Sequence, residues 1–119
     1  YKSNNDLTLE SWLNYIELAE YINQFNSNDF SSLIDNKKYL IRFFNGTKNT
    51  IPDVLNQPEI SSRLTVIETD FLKLESMLSN FEISSDQKIK MVKRINNSFS
   101  NLNFQIDKLI EKLEITPLL

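Results

Sequence analysis

The feature that most constrains the fold is a pair of apolar repeats in the second half of the chain. In each repeat, large apolar residues alternate at spacings of three and four residues over about three heptads, the pattern of helices packed along a seam. Ser84 and Gln87 stand between the repeats at the spacing of a capping box, so the second helix should begin there. So short a connection predicts that the two helices form an antiparallel pair. The first repeat is Ile60, Leu64, Ile67, Phe71, Leu74, Leu78 and Phe81, and the second is Val92, Ile95, Phe99, Leu102, Ile106, Leu109 and Leu113.

Two further amphipathic helices are predicted in the first half of the chain. The first should run from about Thr8 to Phe25, and the second should begin after Asp29 and end near Asn45. Gly46 is expected just beyond the second helix, as the left-handed residue that ends it. The stripe of the first helix comprises Leu9, Trp12, Leu13, Ile16 and Ala19, widened by Tyr15, Leu18, Ile22 and Phe25; that of the second comprises Phe30, Leu33, Ile34, Leu40, Ile41, Phe43 and Phe44.

The widths of these stripes and the scarcity of glycine indicate the fold class. Ile89 and Ile110 extend the last stripe beyond the seam of a two-stranded coiled coil. The 119 residues include one glycine, a residue that sheets need for turns and that weakens helices. The sequence therefore predicts an all-α protein, an antiparallel four-helix bundle with up-down-up-down topology. Residues 8–115 would form this single domain, between a polar N-terminal tether at 1–7 and a C-terminal tail at 116–119.

The connection between the second and third helices contains two of the three prolines and the single glycine of the chain. Pro52 and Pro58 both suit the first turn of a helix, because proline there needs no amide donor. The stretch after Pro52 should form one short helical turn across the end of the bundle, with Val54 and Leu55 pointing inward. Asn56 or Gln57 is then expected to cap the third helix.

Charge and hydropathy exclude some partners and leave the location open. The net charge is −3, and no half of the chain is basic enough to predict nucleic-acid binding. No apolar run approaches the roughly 18 residues that span a bilayer. The polar opening YKSNND would suit a tether that follows a signal or a lipid anchor, so we expect an exported bacterial protein, periplasmic or on the surface. The same opening would also fit a cytosolic protein, and that alternative stays open.

The absence of histidine and cysteine excludes most catalytic and metal chemistry. Without them the chain cannot form a zinc–thiolate site, a di-iron site of the Glu-x-x-His type, a histidine-ligated haem or a Ser-His or Cys-His nucleophile. We therefore predict no metal, no cofactor and no catalytic residues. The remaining enzymatic alternative is acid–base catalysis by two carboxylates, with Glu68, Asp70 or Glu75 facing Asp107 or Glu111.

Two groups of residues are candidates for binding. Asn56 and Arg63 lie in or beside the long connection, and an arginine fork there could hold a partner's carboxylate, although pairing with Glu59 is the simpler prediction. The second group is the basic run KIKMVKR at the start of the last helix, whose heptad positions place Lys90, Lys93 and Arg94 on the outer face. A solvated helix face would explain this run as well.

These observations predict a non-enzymatic helical bundle that acts by protein–protein contact, with its partner and oligomeric state left open. Phe104 should point outward on the last helix and contribute to the exposed surface. The alternative is a bundle that binds or senses a small molecule in an aromatic pocket between helices. Such a pocket would be lined by Trp12, Tyr15, Phe43, Phe44 or Phe99.

Overall fold

The computed structural model describes the backbone of residues 9–115 and the side chains of residues 9–113. The predicted all-α fold is confirmed, and residues 9–115 contain no β-strand. In the same residues, no helix is both long enough and apolar enough to cross a membrane. The predicted tether at 1–7 and tail at 116–119 lie outside the described residues. The main helices are α1 (Leu13–Asn26), α2 (Lys37–Asn49), α3 (Pro58–Asn80) and α4 (Ser85–Ile115).

The four helices pack in a bundle in which successive helices touch and α1 also contacts α4. The contacts of α1 with α4 and with α2 run in opposite directions along the chain, as in antiparallel packing. Tyr15 near the start of α1 donates to Asn103, whereas Asn26 at its end meets Asn96. Between α1 and α2 the pairs are Asn14–Thr47 and Tyr21–Tyr39. Lys48–Glu68 joins α2 to α3, and Asp70–Ser98 joins α3 to α4.

The core is built around the ring of Phe71. It meets Phe25 from α1 and Phe44 from α2 edge-on, each at a centroid distance of 5.1 Å. Phe30, from the connection after α1, stacks on Phe25 at 5.7 Å. Edge-to-face and offset arrangements of this kind stabilise aromatic pairs beyond simple burial. Three of the helices and one connection therefore share a single aromatic centre.

The predicted seam of α3 is confirmed over five positions and fails at its end. The residues from Ile60 to Leu74 in the repeat are fully buried, but Phe81 follows the last residue of α3 and is exposed. On α4 the buried face shifts along the helix, so that Ile110 is buried while Ile89 and Leu113 are exposed. A straight helix has 3.6 residues per turn and drifts from a 3.5-residue repeat, which explains the shift. The buried set on α4 is Met91, Ile95, Ser98, Leu102, Ile106 and Ile110.

The predicted stripe of the first helix is confirmed only in part, because the helix is interrupted. Trp12 has φ −95° and ψ 83°, outside the helical region, and α1 begins only at Leu13. The break removes Leu9 from the phase of the residues that follow, so Leu13 is 73% exposed and Ile16 is also exposed. The Trp12 ring is buried, and its Nε1 donates to Thr50 Oγ1 at 3.2 Å. The buried face of α1 consists of Leu18, Ile22 and Phe25.

The predicted bounds of the second helix are wrong. α2 begins at Lys37, well after Asp29, and continues through Gly46 to Asn49. Gly46 has a negative φ and therefore does not end the helix as a left-handed residue. Its small size serves packing instead, since a Cβ there would lie 3.3 Å from the amide nitrogen of Asn14 on α1.

The connections between helices agree in part with those predicted from the sequence. Asp53–Leu55 forms the predicted short turn, a 3-10 helix, in which Leu55 is buried but Val54 is exposed. Pro58 is the first residue of α3, as predicted, but Gln57 occupies the capping position without a side-chain hydrogen bond. The predicted capping box of α4 is confirmed by two hydrogen bonds between Ser84 and Gln87. The amide of Ser84 donates to Gln87 Oε1 at 2.9 Å, and the amide of Gln87 donates to Ser84 Oγ at 3.2 Å.

Candidate functional site

One end of the bundle brings together two connections, residues 27–36 after α1 and residues 81–84 before α4. We call this the loop end. The backbone amide of Asp35 donates to Ser79 Oγ at 3.0 Å, so the first connection is tied to the last turn of α3. Ile34, Phe81 and Ile89 are all exposed large apolar residues of these connections and the first turns of α4. Ile89 is the one of the three that lines the cleft described below.

The connection 27–36 has a defined shape rather than an extended path. Asn28 and Asp35 adopt left-handed backbone angles, with φ of 63° and 52°. Asn and Asp tolerate this region better than other residues with a side chain, because they can hydrogen-bond locally. The hydroxyl and the amide of Ser31 donate to Asp29 Oδ1 at 2.7 and 3.1 Å, and these bonds lower the pKa of Asp29. Phe30 anchors the segment in the core.

An open cleft of about 430 Å³, the apolar cleft, lies between this connection and the first turns of α4. Phe25 and Phe30 form its aromatic part, and Ile89 and Val92 of α4 form its aliphatic part. Ile89 is 53% exposed, so an apolar surface is available to a ligand without rearrangement of the core. The full lining is Phe25, Asn26, Asn28, Phe30, Ser85, Lys88, Ile89, Val92, Lys93 and Asn96.

The charged residues that line the apolar cleft are both positive. Its lining includes Lys88 and Lys93 but no carboxylate. Lys88 Nζ lies 5.9 Å from the centroid of the Phe30 ring, in the range of a cation–π contact. Although the whole chain has a net charge of −3, charges more than about 8 Å away are largely screened at physiological ionic strength. Asp29 and Asp86 neighbour lining residues along the chain but do not line the cleft, so Lys88 and Lys93 are the charged groups that a ligand in the cleft would contact.

A pair of amide side chains borders the same cleft. Asn26 Nδ2 donates to Asn96 Oδ1 at 3.2 Å, and Asn96 Nδ2 donates to Asn26 Oδ1 at 2.8 Å. A primary amide has two N–H groups and two acceptor sites, so each side chain retains one donor and one acceptor. The cleft thus combines an apolar floor with hydrogen-bonding groups that match a peptide backbone.

A second open cleft at the loop end, the polar cleft, has a volume of about 480 Å³. It lies between the first turn of α2 and the last turns of α3. Its lining contains charges of both signs and one buried carboxylate, that of Glu75. The lining residues are Asp35, Asn36, Lys37, Lys38, Tyr39, Arg42, Glu75, Ser79 and Asn80.

The structure separates the basic residues predicted as binding candidates on α4. Lys93 lines the apolar cleft, whereas Lys90 is exposed and belongs to neither cleft. Arg94 is engaged within the chain, because its Nε lies 3.0 Å from Oδ1 of the buried Asp70. Ser98 Oγ donates to the other oxygen of Asp70 at 2.8 Å. One residue of the basic run therefore lines the apolar cleft, and another belongs to a structural ion pair.

Asn56 and Arg63, the candidates from the long connection, lie away from both clefts. Asn56 is exposed at the end of the 3-10 helix, and Arg63 is half-buried on α3. In the described part of the chain, Arg63 and Glu59 form no ion pair, contrary to the simpler prediction. The structure assigns no shared site to Asn56 and Arg63.

The aromatic residues predicted to line an internal pocket pack mainly on one another. Trp12, Phe43 and Phe44 are buried, and Tyr15 stacks between Trp12 and Phe99 at centroid distances of 5.5 and 5.6 Å. Burial raises the pKa of Tyr15, with the nearby charge of Asp107 as a smaller cause. None of the five predicted residues lines either cleft described above.

The acidic residues do not assemble into a metal site among the described residues. That part of the chain contains no group of three or more His, Cys, Asp or Glu residues that could hold a metal ion. Of the carboxylates considered for acid–base catalysis, Asp70 and Glu75 are buried on α3, whereas Asp107 and Glu111 are exposed on α4.

Comparison of the chain with known protein families, with curated proteins and with solved structures found no match.

Proposed function

We propose that this protein is a non-enzymatic helical bundle that acts by protein–protein contact, with the apolar cleft as its binding site. The occupant would be a segment of a partner protein that has a bulky apolar side chain flanked by Asp or Glu. An exported location, expected from the polar segment YKSNND, remains part of this proposal.

The observation that supports this proposal most strongly is the combination of apolar floor and positive border in one cleft. The rings of Phe25 and Phe30, with Ile89, would receive an apolar anchor of the segment. Lys88 and Lys93 would attract its carboxylates, with no acidic residue in the lining to oppose them. Anchors that fill apolar pockets supply most of the affinity in many interfaces, and charges add specificity and association rate.

The amide pair favours a peptide over a compact apolar molecule. The free donor and acceptor of Asn26 and Asn96 can bind a backbone carbonyl and a backbone amide of the segment. An extended peptide offers both groups at regular intervals, whereas a hydrocarbon offers neither. A segment of a few residues would suit an open cleft of about 430 Å³.

A peptide-library selection on the folded protein tests the proposal. Enriched peptides should share an aromatic or aliphatic residue with Asp or Glu close by, and their affinity should fall as salt is raised. Lys93→Glu replaces attraction by repulsion at the cleft, so it should weaken binding about five-fold, which corresponds to about 1 kcal/mol. Lys108→Glu, the same change in the same helix but outside both clefts, is the matched control and should bind normally.

A second pair of variants tests the apolar floor. Ile89→Asp should abolish binding of the enriched peptides, because it places a charge where the anchor would lie. Phe104→Asp alters another exposed apolar residue of α4, 56% exposed against 53% for Ile89, and should leave binding unchanged. The proposal would be contradicted if the library gave no enriched peptides. It would also be contradicted if a cleft variant and its matched control changed the affinity of the enriched peptides equally.

A further inference from the structure

Glu75 on α3 is a buried charge without a basic partner. The residue is 5% exposed, and it forms no ion pair with any residue that the structure describes. In the same part of the chain, the single hydrogen bond to its carboxylate comes from Ser79 Oγ, which donates to Oε2 at 2.8 Å. An ionised carboxylate can accept several hydrogen bonds, and leaving it buried with one is costly. A buried polar group with so few partners calls for an explanation, such as a functional role.

The surroundings of Glu75 hold its carboxylate in a fixed orientation. Ser79 Oγ accepts the backbone N–H of Asp35 at 3.0 Å and donates to Glu75 Oε2. Because the hydroxyl is held from both sides, it cannot turn away from the carboxylate. Asp35 in turn is held in a left-handed conformation with φ 52°. The chain of bonds therefore occupies Oε2 and leaves Oε1 for another donor.

The first turn of α2 forms the facing side of the same polar cleft, and its backbone amides have no acceptor among the described residues. Asn36 occupies the capping position, but its side chain donates to Ser32 O at 2.8 Å and makes no cap hydrogen bond. The first backbone bond of α2 is from Leu40 to Asn36, so the amides of Lys37, Lys38 and Tyr39 donate to no described residue. Unpaired amides at a helix N-terminus favour an anion.

The side chains that line the polar cleft carry charges of both signs. Lys37, Lys38 and Arg42 provide positive charge on α2, Glu75 provides negative charge on α3, and Asp35, two residues before the start of α2, adds a second negative charge. A purely anionic ligand would be repelled by the buried carboxylate. A purely cationic ligand would be repelled by the basic side chains of α2. A ligand that has both charges at neighbouring atoms satisfies both sides of the cleft.

We propose that the polar cleft binds a small zwitterion with the character of a free α-amino acid. Its ammonium group donates to Oε1 of Glu75, and its carboxylate accepts from the amides of the first turn of α2, next to Lys37 and Lys38. This site is separate from the apolar cleft and shares no lining residue with it. It would give the bundle a ligand-sensing function beyond the contact with a protein partner.

The test is a titration of the whole protein with the twenty standard amino acids, one at a time, followed by the NMR shifts of its backbone amides. At least one amino acid should give saturable shifts, centred on the amides of residues 36–39 and 75–80, at concentrations up to about 10 mM. We then compare the best-binding amino acid with two analogues, the amine that lacks its carboxylate and the acid that lacks its ammonium. Each analogue should bind at least about ten-fold more weakly, since each lacks one charge-assisted contact.

Glu75→Gln is the decisive variant. It preserves the shape of the side chain, removes its charge and should weaken binding of the amino acid about ten-fold. Glu59→Gln makes the same change at an exposed position in the first turn of α3 and should bind like the unmodified protein.

The proposal is overturned if no amino acid shifts these amides, if the amine or the acid alone binds as well as the parent, or if Glu75→Gln binds normally. Peptides selected on the apolar cleft should still bind Glu75→Gln, so failure at one cleft can be distinguished from failure at the other.

Discussion

The carboxylate of Asp70 stabilises the contact between α3 and α4, and replacing Asp70 with Asn should weaken that contact. Asp70 is 1% exposed, and its two oxygens accept from Arg94 Nε at 3.0 Å and from Ser98 Oγ at 2.8 Å. Asn has nearly the same shape but no charge, and its amide nitrogen must face one of the two donors. One hydrogen bond is therefore lost, and the other is no longer assisted by charge.

The size of the effect follows from the exposure of the partners. A hydrogen bond to a charged group contributes about 1.5–3 kcal/mol, and breaking a fully buried ion pair costs about 3–5 kcal/mol. The side chain of Arg94 is 58% exposed and regains water when the pair is broken, so the lower range applies. We expect Asp70→Asn to lower the free energy of unfolding by about 2 kcal/mol, which lowers Tm by about 8 °C in a domain of this size.

Urea unfolding measured by circular dichroism tests this value. The Arg94→Met variant and the double variant complete a cycle, in which we expect a coupling energy of about 1 kcal/mol. Asp53→Asn alters an exposed carboxylate and should change stability by less than about 0.5 kcal/mol. A loss below about 0.5 kcal/mol for Asp70→Asn, no larger than that of the control, would refute the reasoning.

Three smaller changes test other parts of the fold. Gly46→Ala should raise the free energy of unfolding by about 0.5 kcal/mol in urea: a helix-interior Ala gains about 1 kcal/mol over Gly, less the shift forced on Asn14 at 3.3 Å. Ser84→Ala removes the hydroxyl that accepts the Gln87 amide and should cost about 1 kcal/mol in the same assay. Burial, with hydrogen bonds at its hydroxyl, raises the pKa of Tyr21 above the model-compound value of 10.0. This contribution to stability is fully present below about pH 10 and is lost as the pH rises towards the folded-state pKa, so Tyr21→Phe should flatten the fall of Tm between about pH 10 and 12.

The parts of the fold that were predictable are those set by local pattern. The repeat from Ile60 to Leu74 has one apolar residue on each turn of a single helix, so its buried face follows from spacing alone. The capping box of Ser84 and Gln87 is equally local, and both of its bonds are present. These signals depend on residues three or four apart and need no knowledge of the neighbouring helices.

The predictions that were wrong, for part of the stripe of the first helix and for Gly46, concern residues that make contacts with distant parts of the chain. Trp12 leaves the helical region where its ring enters the core and its Nε1 reaches Thr50, and this break changes the phase of the α1 stripe. Gly46 resembles a helix-ending residue in the sequence, but it lies where α1 and α2 approach closely. In both cases a contact from another part of the chain outweighs the local preference.

The candidate site was only partly predictable for a similar reason. Lys93 is a sequence candidate because of its basic neighbours, whereas Ile89 is predicted as an extension of the α4 stripe and its exposure is evident only in the structure. Phe25 and Phe30 come from a different part of the chain, and no local pattern places them beside α4. Glu75 resembles an ordinary surface charge in the sequence, and its burial is evident only when α2 and α3 are packed.

The most direct test of protein–protein contact at the apolar cleft is a methyl NMR titration with a peptide enriched on the folded protein. If the peptide binds in the apolar cleft, we expect the methyl signals of Ile89 and Val92 to shift and to saturate with binding. The methyl signals of Leu13 and Val66, which are exposed outside this cleft, should stay in place. Saturable binding that shifts Leu13 or Val66 and leaves Ile89 and Val92 unchanged would contradict binding in the apolar cleft, because the partner segment would then occupy a different surface.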